Sequence, residues 1–367
     1  MPTPTLVEGT LYIDRDFDVR TETWGPYVKI GIVKDNKTPE ERVKELQTGN
    51  PRKVRTIKTY LSPMVENLET RLHHNFAEYW VRGEWFLMDD NFVNNELHST
   101  ITKFIDEQND SIDFFKKREE LKELLSNGNR REPTEAELEL HSKYNANKKK
   151  FDESNAKSQI IKHKIVEALG NNGGVEGIIE LRKSITPEKI TPAKSSFDKG
   201  KFKSDYPEKY LEFTTITYAS PKGSLLMKGT PTLASHNSEL RDKEKDAKNE
   251  CDRLKLELVD KDKKDIDAAM KSLHEEYVKL LGDIFNSDLE METIKAHLGT
   301  LLGEDEAIEG IIEWKRLENP KEKFDADAAK EKYPTEFGDC MVDKPEKVTP
   351  EKVTVSIIVE QNRAYPV

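Results

Sequence analysis

Two short runs rich in apolar residues, Gly9-Thr10-Leu11-Tyr12-Ile13 and Tyr27-Val28-Lys29-Ile30-Gly31-Ile32, predict a pair of β-strands joined by a polar loop over 14–26. Thr38-Pro39-Glu40-Glu41 then supplies a cap residue, a proline for the first helical position and acids for the first turn. This predicts a helix that carries Arg42, Val43 and Leu46 and ends at Gly49-Asn50-Pro51. Residues 54–60 alternate as a third strand, and over 64–79 Leu68, Leu72 and Phe76 recur at every fourth position, as on one face of a helix. Glu84-Trp85-Phe86-Leu87 follows, and a closing helix is expected near 91–106. The order ββαβα with short connections predicts a small mixed domain over 1–106 and an α+β class for the chain.

Beyond residue 107 the pattern becomes longer and more charged. Helices are expected over 115–125 and 135–169, interrupted by Ser126-Asn127-Gly128-Asn129 and Pro133, so that 107–133 reads as a helical linker. A second charged stretch runs over 240–281. There Ala247, Cys251, Leu254 and Leu258, then Ile266, Met270, Leu273, Tyr277 and Leu280, follow the 4-3-4 spacing of a coiled-coil or helical-hairpin seam. The same region carries an internal match. Glu176-Gly177-Ile178-Ile179 reappears as Glu309-Gly310-Ile311-Ile312, and Phe197-Asp198 with Tyr206-Pro207 reappears as Phe324-Asp325 with Tyr333-Pro334. Two helical modules with short β tails are therefore expected, over 134–232 and 233–367, and the duplication alone assigns them no chemistry.

Composition narrows the class. Apolar and charged residues each make up 35% of the chain, and no run approaches the roughly 18 apolar residues of a spanning helix, so no membrane role is expected. The start, Met1-Pro2-Thr3-Pro4, lacks the basic and apolar regions of a secretion signal. Two cysteines make neither a Cys-rich zinc site nor a disulfide framework, so a reducing cytoplasm is the expectation. The net charge of −11 argues against coating nucleic acid by bulk electrostatics. Any DNA contact would need a local basic strip, for which Arg52, Lys53, Arg55 and Lys58 are the candidate. An ordinary solvated strand edge is the alternative.

In-line cleavage of a phosphodiester requires a deprotonated nucleophile, neutralisation of the developing anion and stabilisation of the leaving oxygen. A base, a cation and a carboxylate holding Mg²⁺ or Mn²⁺ are enough. Tyr12 and Lys29 on adjacent strands, Arg42 early in the helix and Glu69 in the next helix supply that set.

At these residues the chain resembles the GIY-YIG nuclease superfamily. Gly9-Thr10-Leu11-Tyr12 stands for the first motif, with one extra residue before the tyrosine, and Lys29-Ile30-Gly31 for the second. Glu41-Arg42-Val43 through Leu46-Gln47-Thr48-Gly49-Asn50-Pro51 is similar to the arginine helix. Glu69-x-x-Leu72-His73-x-x-Phe76 followed by Gly83-Glu84-Trp85-Phe86 resembles the phage and bacterial branch first described in phage T5, which commonly has lysine in the second motif. The resemblance covers residues 8–106. It implies that Tyr12 acts as general base or orients the attacking water, and that Lys29 polarises that water or binds phosphate. Arg42 would stabilise the transition state, and Glu69 would be the sole protein ligand of the metal. Tyr27, His73 and Glu84 are accessory candidates. The second motif's tyrosine is absent, with Tyr27 two residues before Lys29, and Glu84 stands where an asparagine is often found. Tyr12 packing in the core, or Glu69 simply pairing with Arg42, would be the structural alternatives, and His74 is expected at the surface.

The repeated half more faintly resembles the region after the catalytic core of phage YqaJ-type recombination exonucleases, with no catalytic core of that type present. Together these resemblances imply a DNA endonuclease, encoded by a phage or mobile element, whose residues 134–367 select substrate, bind a protein partner or self-associate. The rival reading is an inactive scaffold that binds DNA or protein and inhibits.

Overall fold

The computed structural model describes residues 4–34, 37–47 and 52–361, and the chain has an α+β fold. The N-terminal part is a five-stranded antiparallel sheet in the order β3-β1-β2-β5-β4. Its strands are β1 (Gly9–Asp18), β2 (Thr23–Lys34), β3 (Lys53–Ser62), β4 (Trp80–Arg82) and β5 (Trp85–Leu87). Helix α1 (Pro39–Gln47) connects β2 to β3, and α2 (Val65–Asn75) follows β3. The cap expected at Thr38 forms and is reciprocal: the Thr38 amide donates to Glu41 Oε2 at 2.9 Å, and the Glu41 amide donates to Thr38 Oγ1 at 3.3 Å. The expected stop at Gly49-Asn50-Pro51 lies outside the described residues.

The polar loop expected over 14–26 is mostly strand. Asp14, Arg15 and Asp16 read as loop because they are charged, yet all three are buried in β1. Each finds a partner that sequence order conceals: Asp14 accepts from Thr56, Arg15 pairs with Asp90 and donates to the Gly25 carbonyl, and Asp16 pairs with Arg52. Paired charges can be buried where isolated ones cannot.

One face of the sheet, with Leu11, Ile13, Val28 and Ile30, packs on Val65, Leu68 and Leu72 of α2 and on Phe86, Leu97 and Ile101. Leu97 stands just before, and Ile101 within, a helix that runs unbroken over His98–Lys122. The boundary expected after residue 106 falls inside that helix, and 107–133 is not a separate linker. Phe104 lies in the domain core, Phe115 packs with Met64 and Ala296, and Leu121 joins the core of the following half. His74, expected at the surface, is half-buried there, with its ring 5.5 Å from that of Phe285.

That half is organised around two long helices, Glu135–Ala168 and Ala268–Leu302. They run antiparallel. Ile161 and Ile165 near the end of the first share a core with Met270 and Tyr277 near the start of the second, while Leu140 and Tyr144 pack by Leu298 and Leu302 at the other end. The expected seam on 247–280 is divided between the helix Ser238–Leu258 and the second long helix, and it buries Cys251, Leu258, Met270, Tyr277 and Leu280. The matched Gly177 and Gly310 both adopt positive φ, at 69° and 73°, in the hairpins that follow the long helices.

The matched segments interlock instead of forming two successive modules. Lys263-Lys264, leading into the second long helix, pairs with Gly174-Val175 after the first, and Arg130-Arg131 pairs in the same way with Ala307-Ile308. Short helices opened by Tyr206-Pro207 and Tyr333-Pro334 meet around shared aromatics. Tyr206 donates to Asp339 at 3.0 Å and Tyr333 to Glu212 at 2.9 Å, while Phe197 stacks on Phe337 and Tyr210 on Phe324.

Candidate active site

Strand alternation places Tyr12 and Asp14 of β1 on the sheet face opposite the apolar core, because Leu11 and Ile13 point into that core. Their cross-strand partners in β2 are Gly31 and Lys29. A Cβ at residue 31 would stand 2.5 Å from the Tyr12 hydroxyl and 2.7 Å from its ring carbon Cζ. Glycine in the second motif therefore lets the Tyr12 ring lie flat across β2. Tyr12 is fully buried, and its hydroxyl has no well-aligned hydrogen-bond partner among the described residues. Because the space at Gly31 is already filled by the phenol, Gly31→Ala is expected to displace the ring and destabilise the domain by about 1–3 kcal/mol. Denaturant unfolding of the variant checks this, and an unchanged midpoint would contradict the packing.

Arg42, on helix α1, which has no fully buried residue, lies against the Tyr12 phenol. That contact is the main reason its guanidinium holds its proton more firmly than usual, with the adjacent Glu45 carboxylate adding to the effect. Burial raises the Tyr12 phenol above its ordinary range, and the contact with Arg42 works against that rise. Tyr12 is thus protonated at neutral pH.

Lys29 is buried on the same face, 6.0 Å from the centre of the Tyr12 ring. Burial, then the Arg42 charge, lowers its ammonium to about 8, against the pull of Asp14 and Glu69. Its Nζ is ion-paired with Glu84 from the β4–β5 turn, which favours the charged form, so Lys29 is a cation at neutral pH. The Ile30 amide donates to the Glu84 carbonyl at 3.0 Å, fixing that turn against β2.

Helix α2 follows β2 beyond the point where β5 stops pairing. Glu66 is ion-paired with Lys34, and His73 Nε2 is 3.1 Å from the Ile30 carbonyl. Glu69 lies on the turn between these two anchors, abreast of the Gly31 region and close enough for its charge to act on Tyr12, Lys29 and Lys34. Burial raises its carboxyl to about 7, opposed by Lys29 and Lys34. Among the described residues it has no hydrogen bond or ion pair, and Arg42 pairs with Glu45 instead of with Glu69.

The accessory candidates separate. Glu84 belongs to the cluster through Lys29. Tyr27 is 45% exposed at the rim. His73 lies between Trp80 and Phe86, burial lowers it to about 4, and with Nε2 on the Ile30 carbonyl it is a neutral fastener of α2 to β2. The basic strip also divides. Arg52 pairs with Asp16, Arg55 lies over the Phe17 ring at 4.2 Å, and Lys53 and Lys58 are exposed along edge strand β3.

One residue of the cluster was missed in the sequence. Asp14 is fully buried opposite Lys29; Thr56 donates to its Oδ1 at 2.7 Å, while its Oδ2 has no hydrogen-bond partner. Its position two residues after Tyr12 would have placed it on the same strand face, had β1 been carried past Ile13.

No curated protein matches the chain, and no solved structure matches it. Residues 9–106, from the first residue of β1 into the helix His98–Lys122, match the model of the T5orf172 domain, found in nuclease-related phage proteins.

Proposed function

We propose that residues 9–106 form a metal-dependent endonuclease domain that hydrolyses phosphodiester bonds in DNA. The observation that carries this reading is the approach of Glu69, a half-buried carboxylate with no hydrogen bond or ion pair among the described residues, to Tyr12 and Lys29, with Arg42 against the Tyr12 phenol. No group of three or more His, Cys, Asp or Glu residues suited to a metal occurs among the described residues. Glu69 alone suits Mg²⁺ or Mn²⁺, which keep most of their coordination sphere as water and phosphate oxygen. Bound there, such an ion supplies charge for the phosphate and a more acidic water. Arg42 holds a non-bridging phosphate oxygen, and the protonated Tyr12 hydroxyl orients the water. Lys29, kept cationic by Glu84, places a second positive charge on the same phosphate.

Plasmid nicking with Mg²⁺ or Mn²⁺, and none in chelator, is the expected result. The rival, an inactive DNA- or protein-binding scaffold, draws support from the ion pair that occupies Lys29, and it requires no nicking with any divalent ion.

The charges also set a pH window. With limiting metal, the rate should fall below pH about 7 as Glu69 takes a proton, and above about 8 as Lys29 loses one. Raising the Mg²⁺ concentration should move the acidic limb to lower pH, because metal competes with the proton for Glu69. An acidic limb that ignores metal concentration would separate it from Glu69.

A further inference from the structure

Two strand segments beyond the long helices carry the same five-residue pattern. One reads Ile185-Thr186-Pro187-Glu188-Lys189, then Ile190-Thr191-Pro192-Ala193-Lys194. The other reads Pro345-Glu346-Lys347, then Val348-Thr349-Pro350-Glu351-Lys352 and Val353-Thr354. Residues 179–186 pair with 352–359, 189–191 with 347–349 and 194–197 with 341–344, all in one register, so the whole is a single two-stranded ribbon. Each break in its ladder holds a proline on both strands, Pro187 with Pro350 and Pro192 with Pro345, where no N–H exists to donate. The register sets Ile185 opposite Val353 and Ile190 opposite Val348. Five is odd, so the two pairs lie on opposite faces of the pleat. Leu181 and Val355 face the helical core, which leaves Ile190 and Val348 on the outer face. They are 56% and 51% exposed. Residues 182–195 and 341–354 are exposed throughout, and among the described residues no third strand pairs with them. A cross-strand pair of β-branched side chains steadies its ribbon through one flank of each. Here the other flank stays in water, on a two-stranded ribbon of the kind that is marginal until something packs on it.

We propose that the outer face of this ribbon docks on the same face of a second copy of the chain. Because antiparallel strands carry one pattern, the face has an approximate two-fold axis of its own, through the Ile190–Val348 pair. Half a turn about it exchanges Glu188 with Glu346, Pro192 with Pro350 and Lys194 with Lys352. A second copy therefore meets the same apolar centre whichever way along the strands it lies, and a contact between identical faces closes at two copies. Outward from Ile190 and Val348 come prolines with Glu188 and Glu346, then Lys194, Lys344 and Lys352. A face of one sign would repel its copy, whereas here each copy brings both signs to the rim of an apolar centre. The four prolines and the lysines close the outer edges of the strands to further pairing, so stacking of faces is the contact left open. The exposed stretch of 14 positions measures about 45 Å by 10 Å, and two such faces cover roughly 900 Å² in all. That is the size of a weak, reversible complex. The proposal does not depend on the nuclease reading.

Sedimentation equilibrium of the full-length chain tests it. Between about 1 and 100 µM the mass should rise from one chain towards two and stop there. Ile190→Lys with Val348→Lys should weaken association by at least about tenfold, while circular dichroism and thermal unfolding stay as in the wild type. Ile190→Cys supplies a second measurement that leaves the face nearly unchanged. A short bis-maleimide should link two copies of that variant, but not two copies of Thr217→Cys, which lies on the exposed strand 214–222 of the other ribbon, nor two of the wild type, whose Cys251 and Cys340 are buried. A mass of one chain across the whole range would overturn the proposal. So would growth past two copies, a folded double variant that associates as tightly as the wild type, or association without a link through Ile190→Cys.

Discussion

Glu69→Ala is expected to abolish metal-dependent nicking, a loss of at least about 10³ in rate, because the proposed site gives the ion to Glu69 and the described residues contain no group of three or more His, Cys, Asp or Glu to hold it instead. The domain should stay folded, since the Glu69 carboxylate makes no hydrogen bond or ion pair among the described residues. Glu69→Gln should lose activity as fully while gaining stability. The carboxyl titrates near 7 in the folded protein against an ordinary 4.5, so the folded state binds the extra proton. Stability therefore falls as pH rises from about 4.5 to 7, and the neutral amide escapes that loss. After discounting for partial exposure, the gain should be on the order of 1 kcal/mol at pH 8 and should vanish towards pH 4. Thermal unfolding at the two pH values measures it. Full nicking by either variant would remove Glu69 from the site, and a destabilised Gln variant at pH 8 would contradict its burial without a partner.

The second large effect is expected at Arg42. Arg42→Ala should lower the nicking rate by about 10²–10³, the cost of removing one charge partner of the transition state. Tyr12→Phe should be severely impaired as well, and the two losses should not add, because the guanidinium and the phenol are in contact and position each other. A double variant no slower than the worse single variant is the expected outcome, read from nicking rates under saturating Mg²⁺. Multiplicative losses would mean that the two act on separate steps. Far-ultraviolet circular dichroism should be unchanged in Arg42→Ala, since α1 buries no residue.

The first strand and the long helices show how unevenly the chain discloses itself. Leu68, Leu72 and Phe76 predicted α2 because a helix that covers a sheet must repeat its apolar contacts each turn. The helix Glu135–Ala168 was legible as a charged helical stretch following the break at Pro133, and in the structure Thr134 and Glu137 cap each other at its start. β1 was cut short after Ile13 because Asp14, Arg15 and Asp16 carry charge. Their burial depends on Thr56, Asp90 and Arg52, tens of residues away, and no local pattern reports such partners.

The same division holds for the site and for the duplicated half. Residue types and spacing alone determined that Tyr12, Lys29, Arg42 and Glu69 would sit on two strands and two helices, and that two blocks after residue 170 repeat. Tertiary structure decided what each group can do. It left Glu69 unpaired among the described residues, tied Lys29 to Glu84, turned His73 into a fastener and brought Asp14 opposite Lys29. It also decided that the repeats interlock across one helix pair. Local sequence fixes which segments are strands through side-chain period, but both copies contain the same strands, and pairing within a copy satisfies the same backbone groups as pairing between copies. The antiparallel packing of Ile165 by Met270 and of Leu298 by Tyr144 puts each hairpin beside the other copy's strand, and that geometry chooses the partner.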